Sequence, residues 1–315
     1  MAKAEPAAPR FPGFDTLTKE ERKSVTHSDF WIPEDERELY KMALAALNEA
    51  GVPCVVAGAY AIYEHTGIYR QTKDLDLFCT PGAVLQAMEV LRGVGFMTRL
   101  EQPHWIGKAI SKANRDHFID IIYGMGNGLA LIDEDWFRYS TPAILAATPV
   151  RVAPVEELIW HRLFIHERHR HDMADVAHLI LCKGRVMDWK RLLVKTGENW
   201  PLLLSQVLLF RYVYPGYRDQ VPEWVLRDLL DRAEKASHQR SDDGDAHNVT
   251  NGTMISRFSF AIDVNEWGFR DTREESIARM QRHPEILKLV DSGVWDERAP
   301  DTEQENVPES QDDEE

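Results

Sequence analysis

Apolar positions Leu39, Met42, Ala43, Ala46 and Leu47 recur at helical spacing through residues 33–51, and Gly51 marks the stop. The short apolar run "VPCVVAG" (52–58) reads as a buried strand, and "AYAIYEHTG" (59–67) as a helix ended by Gly67. "TKDLDLFC" (72–79) is strand-like, and "PGAVLQAMEVLRGVG" (81–95) is a helix with proline at its start and glycine at its end. Three further strand-like runs follow: "FMTRLE", "HWIGKAI" and "HFIDIIYG". Beyond "TPVRVAP" (148–154) the pattern turns helical, opening with "VEELIWHRLFIHERHRHDMADVAHLILCKG", and a last helical piece falls near 272–292. The order β-α-β-α-β-β-β followed by helices predicts the α+β class: a mixed β-sheet with flanking helices, then an α-helical domain. The expected organisation is a flexible arm over 1–32, a sheet domain over 33–150 and a helical domain over 151–295. That domain carries a polar loop at 238–253, and an acidic disordered tail occupies 296–315.

One strand breaks its own pattern. In "RQTKDLDLFC", Leu75 and Leu77 share one face while Asp74 and Asp76 share the other. Like charges at 4 Å repel by about 1 kcal/mol in bulk water and about 4 kcal/mol at an effective dielectric of 20. Asp is also a poor strand former. Such a pair costs stability unless a cation bridges it, and hard divalent cations take oxygen ligands. The competing explanation is a strand end with two solvated aspartates. In "FIDII" a third carboxylate, Asp120, stands among large apolar residues. If that strand lies beside the first, three carboxylates converge. That arrangement suits two-metal phosphoryl transfer, with the third acid completing the metal site and receiving a proton. The strand "VVAG" runs through a small-residue turn into a helix N-terminus, which suits phosphate held by backbone N–H groups.

Composition narrows the setting. A net charge of −15 over 315 residues argues against broad, sequence-blind binding to nucleic acid, although part of it sits in the final acid-rich, base-free stretch. The longest apolar runs fall short of a membrane span, and "MAKAEPAAPRFPGF" carries no apolar signal core. Cys54, Cys79 and Cys182 lack metal spacing and read as reduced thiols. A cytoplasmic protein without a membrane partner is expected.

A strand, then "AGAYAIY", then "RQTKDLDLF", then a later apolar strand with one Asp resembles the DNA polymerase β-type nucleotidyltransferase superfamily. The likeness is closest to its small prokaryotic branch, which includes abortive-infection toxin nucleotidyltransferases. It covers about residues 38–180 and implies transfer of a nucleoside monophosphate from an NTP to a hydroxyl acceptor. The acceptor could be an RNA end, a protein or a small molecule, and pyrophosphate is released. By that resemblance Asp74, Asp76 and Asp120 are catalytic and hold Mg²⁺, or Mn²⁺ in its place. Gly58 and Ala59 lie under the triphosphate, and Arg70 or Lys73 neutralises it. The branch's basic helical residue followed by Asp-x-x-Asp is matched by Arg162 and by Arg170, Asp172 and Asp175. Two departures stand out: Ala57-Gly58 replaces the usual Gly-Gly, and Arg162 stands where lysine is frequent.

Other readings remain open for several of these residues. Asp120 could be a strand acid satisfied by an arginine such as Arg115. Arg162, Arg170, Asp172 and Asp175 could form a buried ion-pair network joining the halves. His161, His166, His169, His171 and His178 crowd one stretch, but their helical faces disagree, which tells against a zinc site. "HD" at 171–172 also resembles metal-dependent phosphohydrolases. Arg99, Lys108, Lys112 and Arg115 could line one cleft. Tyr60, Tyr63, Trp267 and the aromatic residues of "RYVYPGY" read chiefly as packing. Two alternatives accompany the enzyme: a catalytically silent interaction protein on the same fold, and a toxin-like nucleotidyltransferase controlled by an antitoxin-like partner.

Overall fold

The computed structural model describes residues 32–70, 72, 74–168, 170–238 and 248–293. The expected arm and acidic tail lie outside these residues, apart from Ile32, as does most of the polar loop. The first half builds helix α1 (Glu34–Glu49), strand β1 (Cys54–Val56), helix α2 (Gly58–Thr66), strand β2 (Asp74–Cys79) and helix α3 (Val84–Gly93). Strands β3 (Phe96–Gln102), β4 (Ile106–Ser111) and β5 (Phe118–Ile122) follow. A short helix α4 (Asp135–Arg138) leads into a hairpin of β6 (Thr141–Leu145) and β7 (Thr148–Val152). Each element read from the pattern of residues 33–122 is present; the β6–β7 hairpin is an addition.

These strands form one seven-stranded mixed sheet in the order β3-β4-β5-β2-β1-β7-β6. β2 and β5 lie side by side in parallel, with Asp76 directly opposite Asp120. β1 runs antiparallel to β2, so its C-terminal end and the turn into α2 lie beside Asp76. There the Ala57 N–H donates to the Asp76 carbonyl at 2.9 Å.

Because side chains alternate along a strand, one face of the sheet carries Leu75, Leu77, Leu100, Ala109, Ile119 and Ile121. That face is buried under residues of α1 and α3. The same core takes in Met280 of α11 (Thr272–Gln281) and Ile286 and Leu289 of α12 (Pro284–Asp291), so these two late helices return to the first half. The expected single helical piece near 272–292 is thus two helices, the second opened by Pro284.

The helical half comprises α5 (Val155–Arg162), α6 (Met173–Lys183), α7 (Trp189–Thr196), α8 (Trp200–Val213), α9 (Glu223–His238) and the short α10 (Ala261–Asn265), ahead of α11 and α12. Its apolar residues, among them Leu158, Ile159, Leu179, Leu192 and Phe210, pack with Val55, Ile62, Phe78 and Ile122 of the first half. The fold is α+β, a mixed sheet with flanking helices followed by a helical region. The two halves share a core across residue 150, where the element type changes. No described helix is long and apolar enough to cross a membrane.

Candidate active site

The face of β2 and β5 opposite the Leu75/Leu77 core carries Asp74, Asp76 and Asp120. The parallel register that sets Asp76 against Asp120 brings all three together: one carboxylate oxygen from each lies within 4.8 Å of the other two. Asp74 and Asp76 are half-buried, and Asp120 is 9% exposed. Among the described residues this is the one group of three or more potential metal-ligating side chains. Burial, then the charges of Asp74 and Asp120, push the Asp76 carboxyl up to about 8. Burial likewise lifts Asp120 to about 7 despite the counter-charge of Lys108. The Thr72 hydroxyl donates to Asp74 Oδ1 at 2.5 Å and orients that carboxylate.

The donor set fits divalent cations. All three contributors are carboxylates, whose oxygens are donors of the kind hard cations take. Asp120 Oδ1 is buried and faces the Lys108 ammonium at 3.5 Å, and a cation among the three carboxylates would offset the negative charge they bring together. Clustered carboxylates, with burial raising Asp76 and Asp120, mark a candidate functional site.

Gly58 is required by this geometry. Its φ is +56°, and a Cβ placed there would stand 1.6 Å from Asp76 Oδ2. The first turn of α2 therefore lies against the acids with no side chain between them. Ala57 at the N-cap provides no side-chain cap, and Gly58 and Ala59 are half-buried at this end. Ala57-Gly58 thus allows close approach at the second residue, where the geometry needs it.

The basic candidates separate. Arg162 is 6% exposed; its Nε donates to Asp175 Oδ2 at 3.3 Å and lies 3.7 Å from Asp172 Oδ2. Its Nη2 also reaches the Gly58 carbonyl at 3.4 Å. Arg70 Nη2 lies 2.5 Å from Asp175 Oδ1, and Arg170 Nε 3.4 Å from Asp172 Oδ1. The alternating chain Arg70–Asp175–Arg162–Asp172–Arg170 locks the helical half onto both the α2 turn and the approach to β2. The ion-pair reading of these residues therefore describes their contacts. Arg170, more than half exposed, also feels the charges of Asp76 and Asp74. Lys73 lies outside the described residues. Removing one partner of a buried pair typically costs about 3–5 kcal/mol. Arg162→Met is therefore expected to lower unfolding free energy by that order in urea denaturation; a loss below about 1 kcal/mol, the scale of an exposed pair, would deny the network its structural role.

Asp120 is met by Lys108 at 3.5 Å, whereas Arg115, the partner considered from the sequence, is exposed. Arg99 is held by Glu101, so Arg99 and Lys108 are not a free basic lining. Lys112 and Arg115 are both exposed. Sequence reasoning gave no place to Thr72 or to the Lys108–Asp120 pair. The second follows from the β4–β5 register, which local pattern does not encode.

The histidines do not gather. His161 packs against Phe78 and Trp136 at 5.5 and 6.4 Å between ring centroids, and burial pushes it down to about 3. His166 Nδ1 and His171 Nε2 lie 3.1 Å apart as a pair, and His178 is near Tyr214. His169 lies outside the described residues.

No family model matches the chain, and no curated protein matches it. Among solved structures, the antibiotic-resistance factor ANT(2'')-Ia aligns at 16% identity over 66% of this chain and 100% of that one, with a TM-score of 0.37. The lincosamide antibiotic adenylyltransferase LnuA aligns at 15% over 47% of this chain and 96% of that one, TM-score 0.33. An antigenic nucleotidyltransferase-like protein from Paracoccidioides brasiliensis aligns at 13% over 56% and 93%, TM-score 0.33. At such identities and TM-scores, the chain's own geometry has to support any functional reading.

Proposed function

We propose that the protein is a metal-dependent nucleotidyltransferase that moves a nucleoside monophosphate from an NTP to a hydroxyl acceptor. The observation behind this reading is the convergence of Asp74, Asp76 and Asp120 beside the uncapped first turn of α2. Divalent cations, Mg²⁺ or Mn²⁺, held by the three acids would neutralise the triphosphate and activate the acceptor hydroxyl. The α2 N-terminus would receive phosphate oxygens through Gly58 and Ala59 N–H groups, where no side chain obstructs approach. Arg170, exposed at the rim, would add positive charge there. The acceptor oxygen forms its bond to the α-phosphorus as the bond to the bridging oxygen breaks, and pyrophosphate leaves. The Asp120 carboxylate would take the hydroxyl proton. Catalysis of this kind is mostly positioning and charge stabilisation.

The test is thermal stability with each NTP, with and without Mg²⁺, for wild type and Asp74→Asn. Ligand at 100 times its Kd adds about 2.7 kcal/mol. The expected result is a Mg²⁺-dependent rise in Tm that Asp74→Asn lacks. Folded wild-type protein that responds to no NTP would turn the reading to an interaction protein on this fold. A positive result would lead to an acceptor screen with labelled NTP against RNA ends, proteins and small molecules.

A further inference from the structure

One level of the sheet carries a row of charges across four neighbouring strands. Arg99 on β3 stands opposite Lys108 on β4, Lys108 opposite Asp120 on β5, and Asp120 opposite Asp76 on β2. Two bases are followed by two acids. Within the row, Arg99 is already engaged: its Nη2 lies 2.5 Å from Glu101 Oε1, and its Nε donates to the same oxygen at 2.7 Å. Lys108 is not drawn into that pair. Its ammonium lies 3.5 Å from Asp120 Oδ1 and 4.2 Å from the Phe118 ring centroid.

The Lys108 side chain is only 16% exposed. A buried ammonium is costly without a counter-charge, so this is not a surface lysine resting on a strand. Its ammonium is held between the Phe118 face and Asp120. Those contacts come from the side of Asp120 away from Asp74 and Asp76, because β4 and β2 flank β5 on opposite sides.

We propose that Lys108 is a positioning residue for the metal centre, fixing the Asp120 carboxylate so that it faces Asp74 and Asp76. This inference rests on the nucleotidyltransferase reading of the same site and adds to it a residue outside the acid triad. The contacts of Lys108 are with Asp120 and Phe118. It acts through Asp120, as outer-sphere partners of metal-binding carboxylates do, and loss of such partners costs about 10–100-fold in metal affinity or activity.

Three full-length proteins test it: wild type, Lys108→Met and Lys108→Arg. Mg²⁺ binding is measured by calorimetry and Mn²⁺ binding by electron paramagnetic resonance, beside the Mg²⁺ dependence of nucleotidyl transfer. Lys108→Met is expected to weaken metal binding about 10–100-fold and to raise the Mg²⁺ requirement of transfer equally. The KM for NTP at saturating Mg²⁺ is expected to stay at the wild-type value. Lys108→Arg, which keeps the charge over Phe118, is expected to recover most of the loss. Should Lys108→Met not fold, Lys108→Gln poses the same question. Metal binding by the neutral variant as tight as wild type, or tighter, overturns the proposal, because Lys108 would then be idle or a competitor of the metal. Wild-type protein that binds no Mg²⁺ overturns the nucleotidyltransferase reading itself, a distinguishable failure.

Discussion

Gly58→Ala is expected to abolish Mg²⁺-dependent nucleotide binding and to destabilise the fold. Two effects add. A residue with a Cβ held at φ +56° costs about 1–2 kcal/mol from backbone sterics alone. The new methyl group would also overlap Asp76 Oδ2, and carbon and oxygen cannot remain 1.6 Å apart. Either the α2 turn lifts away from β2 or the Asp76 side chain rotates out of the triad, and each outcome separates the first turn of α2 from the acids. Gly67 supplies the control. It ends the same helix at φ +73°, with nothing within 4 Å of an added Cβ. Gly67→Ala is therefore expected to show the backbone cost while keeping the nucleotide-dependent rise in Tm. Urea denaturation and thermal shift on the two variants separate the terms. A Gly58→Ala protein that retains the nucleotide response would mean that α2 does not border the functional cleft.

The acids and the glycine were legible in the sequence because each violates a local rule. Asp74, Asp76 and Asp120 occupy strand positions where apolar or β-branched residues belong, and Gly58 interrupts a strand-to-helix transition. Features that obey local rules, or depend on distant pairing, were not legible. The β6–β7 hairpin is a clear case. Its two-residue loop is Ala146-Ala147, both at positive φ (49° and 55°), a conformation that Asn-Gly or Asp-Gly ordinarily announces. Two alanines give no such signal, so "TPVRVAP" read only as a boundary. β7 then pairs with β1 in parallel, a contact nearly a hundred residues apart.

The return of α11 and α12 onto the first-half core was hidden for a related reason. Their apolar positions show that each helix buries a face, but not against what. The structure answers with Ile286 and Leu289 packed beside residues of α1 and α3, and with Gly128, whose missing Cβ leaves room for the backbone of Ile277. The basic residues divide along the same line. Arg162 and its aspartates are close in sequence, so their pairing could be foreseen. Lys108 and Asp120 face each other only because β4 and β5 pair in one particular register.

Asp76→Asn is expected to have opposite effects on the metal-free fold and on ligand binding. Burial first, then Asp74 and Asp120, raises the Asp76 carboxyl to about 8 in the folded chain, against an ordinary value near 4 when unfolded. Between those values the native state binds a proton that the unfolded state does not. Stability therefore falls as pH rises through the window and is at its lowest above pH 8. Each unit of separation corresponds to about 1.4 kcal/mol, so the decline amounts to several kcal/mol. Asparagine carries no charge at any pH. Metal-free Asp76→Asn is accordingly expected to be more stable than wild type at pH 8, with a shallower decline between pH 5 and 8. Added Mg²⁺ should invert the order, because a cation bridging the acids relieves their repulsion in wild type and finds too few carboxylates in the variant. Urea midpoints at pH 5 and 8, with Mg²⁺ or with EDTA, provide the measurement. A wild type as stable at pH 8 as at pH 5 without metal would show that the three carboxylates are not mutually strained. Destabilised Asp76→Asn without metal would show that the Asp76 charge holds the fold together, and the acids would then be structural.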